Sequence, residues 1–425
     1  MHQALSSDKS LSEAVARVNA DRIAAGLEPA SSNTAAFSDA RQQLPLGLPR
    51  QLFYELARSC ESEALEKCEP LTSWQGRSVK IVDGSTLLMP DTPENQAEFP
   101  QMKSQEKGSG FPIARIVAVF SLLTGCALDL AIGPYQGKET GEHALLRQLF
   151  HCFDRGDVVL GDAYYSSYFL MVMLRSLGVD FVFESHAGRN SDFRKGIRVG
   201  KADHIVALTK PPQPAWMSDE LYALMPDTMQ IREVAITVER PGFRSKKIFL
   251  TSSFLSSRCQ TKTDLADLYR QRWMCELYLG SIKTTMAMDM LRCKAPDMVR
   301  KEIWVHLLAY NVVRKIILDA AIKCGSQPRH ISFKAVVQTF NHYSTLWRSP
   351  EIDKVLLYKR LLEAVCKHVV GHRPGRYEPR KRKRRPKPFP LLHGSRHNRK
   401  KQKELKSKPV AQVPLTAKAK EKLCA

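Results

Sequence analysis

No stretch of this chain is both apolar and long. Its longest run without a charged residue, 116–128, has 13 residues, fewer than the about 20 a membrane helix needs. Thr124-Gly125 also interrupts that run as a turn does. The opening MHQALSSDKSLSEAV lacks the basic-then-apolar order of a secretory signal. Ten cysteines are present, yet none forms a CxxC pair, which excludes zinc-ribbon and thioredoxin-like spacings. Without a signal they are expected to be reduced thiols of a cytoplasmic protein. His151, His186, His204 and His306 are too dispersed for a zinc motif and read as structural. Internal repeats are missing, and so is a clean helix-turn-helix.

Acidic residues are also scarce. The 43 Asp/Glu leave 65 Lys/Arg with a net charge of +22. That surplus is local: from Arg373 to Ala425, 19 Lys/Arg face 3 Asp/Glu, so +16 of it sits in the last 53 residues. A run of this kind points to a polyanionic partner, most commonly nucleic acid. No amphipathic apolar face accompanies it, which disfavours a membrane surface. The bland alternative is a solvated solubility tail.

Residues 1–75 read as helical, in SLSEAVARVNADRIAAG and PRQLFYELARSCESEALEKC, joined by the Ser-, Ala- and Pro-rich link EPASSNTAAFSDARQQLPLGLP. The texture changes at Val79. VKIVDG, RIVAVFSLL and CALDLAI predict three strands, the last two as a hairpin. ETGEHALLRQLFHCF predicts a helix with acids in its first turn. DVVLGD predicts a strand, SSYFLMVMLRSLG a helix with Gly178 past its end, and VDFVFES a fifth strand. Three strands, helix, strand, helix, strand is the order of an α/β ribonuclease-H-like core. From 186 to 261 the pattern is all-β, read as an insertion within a core of 76–290. A long helix is expected from Asp264 to about Met288, capped by Thr263. Residues 291–370 read as a C-terminal helical region, and 371–425 as a flexible basic tail.

Asp83 and Asp162 each close a short buried strand. Ligands gather at strand carboxyl ends in open α/β sheets, and paired carboxylates hold hard cations. Asp also starts turns after strands, so this context leaves both readings open. The helix DLADLYRQRWMCELYLGSIKTTM adds weight to the first. With Tyr269 at 0° and about 100° per residue, Arg272 falls near 300°, Glu276 near 340° and Lys283 near 320°. An i,i+4 pair on a solvated face accounts for Arg272 and Glu276. It does not account for a Tyr on the same stripe, or for Lys283 nearly two turns on.

Tyr269, Arg272, Glu276 and Lys283 have the spacing Y-x2-R-x3-E-x6-K. With VDGST around Asp83, GDVVLGD around Asp162, the β insertion before the glutamate helix and the tail RPGRYEPRKRKRRPKP, the chain resembles the DDE transposases of bacterial insertion sequences in the IS-four family, a Tn-five-like pattern. The resemblance runs from roughly Phe37 to Pro390. It departs at Ala163, where many members carry Arg, and at Phe183-Glu184, which stands in place of an Arg.

The resemblance implies a cut-and-paste DNA transposase. Asp83, Asp162 and Glu276 would bind two Mg²⁺ or Mn²⁺ ions for in-line phosphodiester chemistry. Tyr269, Arg272 and Lys283 would grip terminal nucleotides. A flipped base would need an aromatic platform, with Trp216 and Trp273 as the choices; packing in a core is the ordinary use of either ring. The implied partners are double-stranded DNA, as terminal inverted repeats and target, and a second copy of the chain. The implied location is the bacterial cytoplasm and nucleoid. The alternatives are a ribonuclease-H-like nuclease without strand transfer, or a non-catalytic DNA-binding regulatory copy.

Overall fold

The computed structural model describes residues 2–6, 8–72, 74–238 and 246–370. The basic tail lies outside the described residues. Nine strands form one mixed sheet: β1 Val79–Leu88, β2 Ile113–Ser121, β3 Ala127–Pro134, β4 Val158–Gly161, β5 Asp180–Glu184, β6 Ile197–Gly200, β7 Asp203–Thr209, β8 Thr228–Val238 and β9 Lys246–Ser252. Their order across the sheet is β3-β2-β1-β4-β5-β9-β8-β7-β6. β2 and β3 form the expected antiparallel hairpin beside β1, turning at Gly125 with a φ of 71° that suits glycine. β4 and β5 run parallel to β1. Both are very short; β4 is wholly apolar and buried, and β5 buries an apolar centre between Asp180 and Glu184, as strands covered on both faces do.

Alternation along these strands feeds two cores. Ile81, Leu160 and Val182 join the larger one, packed with the helices Gly47–Thr72 and Pro296–Cys324. Val82, Val159, Phe181 and Phe183 face the other way, against the helices Glu142–Arg147 and Tyr168–Ser176. The 29-residue helix Pro296–Cys324 is buried along much of its length and ends on Gly325 in the left-handed region, the usual glycine stop. Among the described residues no helix is long and apolar enough to cross a membrane.

Several expectations are corrected. The N-terminal link contains a further helix, Thr34–Gln43, started by the Asn33 side chain accepting from the Ala35 amide. A short helix Pro93–Glu98, with Thr92 as its cap, had no periodicity to reveal it. The stretch VGKADHIVALT is two strands, not one, folded back at Ala202 with a φ of 53°. The strands of the β-rich segment continue the same sheet, because β9 pairs with β5. The glutamate helix begins at Lys262, not Asp264. Thr261 replaces Thr263 as its cap because Thr261 and Asp264 close a reciprocal capping box. It is also not one helix. It runs Lys262–Arg270, tightens at Gln271-Arg272, resumes as Trp273–Gly280 and widens into a π turn over Ser281–Thr285.

Candidate active site

The sheet register brings the two aspartates together. Ile81 pairs with Leu160 across the parallel β1–β4 ladder, and Leu160 pairs with Val182 across β4–β5. Two residues further on, where side chains return to the same face, stand Asp83, Asp162 and Glu184. Asp83 is not at the end of its strand, as its sequence context implied. It lies mid-strand, still paired with Ala118 of β2, at the level where β4 has already stopped. The turn reading also has substance. Asp83 Oδ1 accepts from the Gly84 amide at 2.8 Å, and Asp162 Oδ1 accepts from the Tyr164 amide at 2.8 Å, opening the tight turn Ala163–Tyr165. Each aspartate shapes its own backbone and still faces the other.

The broken glutamate helix packs on that face, near β1. Arg272 donates to Glu276 at 3.0 Å. Lys283 donates to Ser85 Oγ at 2.9 Å, tying the π turn to the strand of Asp83. Tyr269 is buried, and its hydroxyl donates to Glu184 Oε2 at 3.3 Å. The Tyr, Arg, Glu and Lys of the helical stripe therefore all lie beside the aspartate corner, though the helix between them is irregular.

The electrostatics are those of crowded acids. Burial pushes the Asp83 carboxyl up to about 6, with Asp162 and Glu142 adding like charge and Arg272 relieving it. Burial also raises Glu142, with Asp162 acting in the same direction. Glu142 escaped the sequence reading because an acid in a first helical turn has an ordinary explanation. Its carboxyl lies against Gly84, and the fully buried Tyr165 donates to its Oε2 at 3.1 Å. Only the fold brings Glu142 to the aspartates, and no spacing signal announces it.

Asp83, Asp162 and Glu276 do not close into one tight shell. Among the described residues the group of three whose ligand atoms fall within 4.8 Å of one another is Asp129, His151 and Cys152. There His151 Nε2 lies 2.8 Å from Asp129 Oδ2, Tyr54 donates to Asp129 Oδ1 at 3.0 Å, and burial pushes the Cys152 thiol up to about 12. The histidine is thus not isolated, as its sequence position implied, but its imidazole and the carboxylate satisfy each other and the thiol is held protonated. His204 bridges Lys195 and Glu233, and His306 is buried against the Glu302 carbonyl, both in structural settings. Of the two tryptophans, Trp216 is covered by Arg147 at 3.8 Å from its ring and met edge-on by Phe169. Trp273 is 51% exposed, one residue from Arg272.

The model of the transposase DDE domain family matches residues 74–312, more than half of the chain and all three carboxylates of the triad. The chain belongs to that family. The transposase InsG of insertion sequence element IS4 from Escherichia coli K12 is 28% identical over 306 residues, 70% of this chain and 64% of InsG. The chain thus spans just under two thirds of that relative's length. The transposase for insertion sequence element IS421 from Escherichia coli is 32% identical over 114 residues, 27% of this chain and 29% of its own. A solved structure of the piggyBac transposase in a synaptic complex with hairpin DNA aligns with a TM-score of 0.38 and 12% identity, over 70% of this chain and 59% of that one. The IS-four resemblance read from the sequence agrees with the first of these relatives. In this DDE domain Asp83 lies on β1, Asp162 immediately follows β4, and the glutamate helix packs on the face they share.

Proposed function

We propose that the chain is a metal-dependent DNA transposase that cleaves at the ends of an insertion sequence and joins the freed 3′ ends to target DNA. The observation that carries this reading is the emergence of Asp83 and Asp162 side by side from neighbouring parallel strands, beneath the Arg272–Glu276 pair, in a chain of the transposase DDE domain family. The antiparallel β3-β2-β1 and parallel β1-β4-β5 order supports a ribonuclease-H-like core, with β6–β9 as an inserted extension.

The donor set fits a hard divalent cation. It is all carboxylate oxygen, and the cost of charging Asp83 beside Asp162 is one a cation would remove. Asp83, Asp162 and Glu276 would hold Mg²⁺ or Mn²⁺, as two ions. Such ions supply, when bound, activation of a water or 3′-hydroxyl and stabilisation of the leaving oxygen. Because two ions stand about 3.5–4 Å apart, their ligands need not share one tight shell. Arg272 holds Glu276 in a charge pair, and a DNA phosphate drawn to the guanidinium would free that carboxylate to turn toward the aspartates. Lys283 would add a second phosphate contact, and Tyr269 would line the groove. Trp273 is the better placed stacking platform, because the ring of Trp216 is already covered. The basic tail would bind duplex DNA through counterion release. Action on paired ends implies a homodimer on DNA, working at the nucleoid.

A strand-transfer assay with pre-cut element ends and Mg²⁺ tests this. The wild-type chain should yield joined product, and Asp162→Asn should lower the rate about 10²- to 10³-fold, from the several kcal/mol of charge stabilisation a metal ligand supports. Cleavage without joining would leave a nuclease, and DNA binding with neither would leave a regulatory copy.

A further inference from the structure

We infer that Glu142 supplies a further carboxylate to the metal site of Asp83, Asp162 and Glu276. The inference rests on the function proposed above and adds a residue outside the three-carboxylate pattern.

The first support is a cradle. Position 84, next to Asp83, is glycine, and a Cβ built there would overlap the carboxyl group of Glu142. The missing side chain is the space the carboxylate occupies. The second is an orienting partner. Tyr165, fully buried, donates to Glu142 Oε2 at 3.1 Å, which fixes that oxygen. Tyr165 ends the turn Ala163–Tyr165 that Asp162 opens, so a single three-residue turn places both Asp162 and the hydroxyl that holds Glu142.

The third support is topological. β4 ends at Gly161, while β1 continues to Leu88. Beside Asp83 and Gly84 the sheet is therefore open on the β4 side. Gly84 shares its face with Val82, on the side of the helix Glu142–Arg147, whereas Asp83 shares its face with Ile81, on the side of the glutamate helix. The site thus receives acids from both faces of the sheet through this gap, with Asp162 at the strand end between them. A hard cation takes about six oxygens, shared among carboxylates, waters and phosphates, so a pair of cations has room for a fourth carboxylate. A helix-dipole role does not require a carboxylate lodged on a glycine under a buried hydroxyl.

The test is Mn²⁺ binding to the full chain without DNA, read from the electron paramagnetic resonance of free Mn²⁺, alongside melting in metal-free buffer. Asp162→Asn should abolish the tighter binding. Glu142→Gln keeps the acceptor for Tyr165, so it should melt like wild type yet weaken Mn²⁺ binding about ten- to a hundredfold, the usual range for residues supporting a metal site. Gly84→Ala should weaken binding as well, and should add little on top of Glu142→Gln if it acts by displacing the same carboxylate. Wild-type affinity in Glu142→Gln, with binding lost in Asp162→Asn, would overturn the inference and leave the proposed function standing. A lowered melting temperature in Glu142→Gln with unchanged Mn²⁺ affinity would make Glu142 structural. Equal binding by wild type and Asp162→Asn would sink the metal site itself, and Glu142 with it.

Discussion

Arg272 stands among acids, paired with Glu276 at 3.0 Å and easing the charge on Asp83. Its removal takes that relief from Asp83 and the charge partner from Glu276. Arg272→Ala should lower metal-free stability by up to about 1 kcal/mol, the range for a partly exposed i,i+4 ion pair. Millimolar Mg²⁺ should then restore more stability to the variant than to wild type, because a ligand bound only by the folded state stabilises it in proportion to its affinity. Urea unfolding with and without Mg²⁺ measures both, and an equal Mg²⁺ response in the two proteins would count against a cation at this corner. His306 gives a pH dependence of the opposite origin. Burial lowers its pKa below the ordinary 6.5, so it stays neutral in the fold while the unfolded chain takes up a proton. Its stabilising contribution is complete above about pH 6.5 and is progressively lost as the pH falls toward the lowered value. Wild type should therefore unfold at lower urea at pH 5.5 than at pH 7.5, and His306→Gln should narrow that gap. At this scale the sequence left each aspartate as either a turn former or a ligand. Asp162 caps a turn with Oδ1 and stands near enough to Asp83 to raise its carboxyl, so a turn role does not exclude a ligand role.

The element that carries Glu276 was legible as a helix but not in its breaks. Periodicity sees the average rotation per residue, and the tight turn at Gln271-Arg272 and the π turn at Ser281–Thr285 deviate in opposite senses. That is why an ideal wheel still grouped Tyr269, Arg272, Glu276 and Lys283. Its start was misplaced by two residues because two threonines precede Asp264, and only Thr261 is three positions before it, as a capping box requires. Thr261→Ala should cost about 1 kcal/mol, whereas Thr263→Ala should cost little; urea melts of the two variants separate them. The added strands are locked by a buried bidentate pair, Arg232 to Asp203 at 2.8 and 2.6 Å, with Arg232 also donating to the Gln260 carbonyl at 2.6 Å, just before that helix. Asp203→Asn leaves a buried guanidinium without its counter-charge and should destabilise by about 3–5 kcal/mol. A loss below about 1 kcal/mol would mean that strand pairing alone holds the extension.

Across the whole molecule, charge is unevenly divided along the chain: of the net +22, +16 lies beyond Gly371. Deleting 371–425 should weaken binding to random duplex and flatten its dependence on salt, since fewer counterions are released. Superimposable salt titrations of the full and shortened chains would make the tail a solvated appendage. Apart from the short helix Pro93–Glu98, the order of strands and helices from Val79 to Glu184 was readable from sequence, because short buried strands and their turn residues are local chemistry. So was the spacing Y-x2-R-x3-E-x6-K, because one helix carries it. Whether the strands after 196 formed their own sheet or widened the first depended on β9 pairing with β5, a choice made by hydrogen bonds between segments over 60 residues apart. The company of Asp83 was decided in the same way. Asp162 reaches it through parallel register, and Glu142 through the gap where β4 stops short, and neither relation has any expression along the chain.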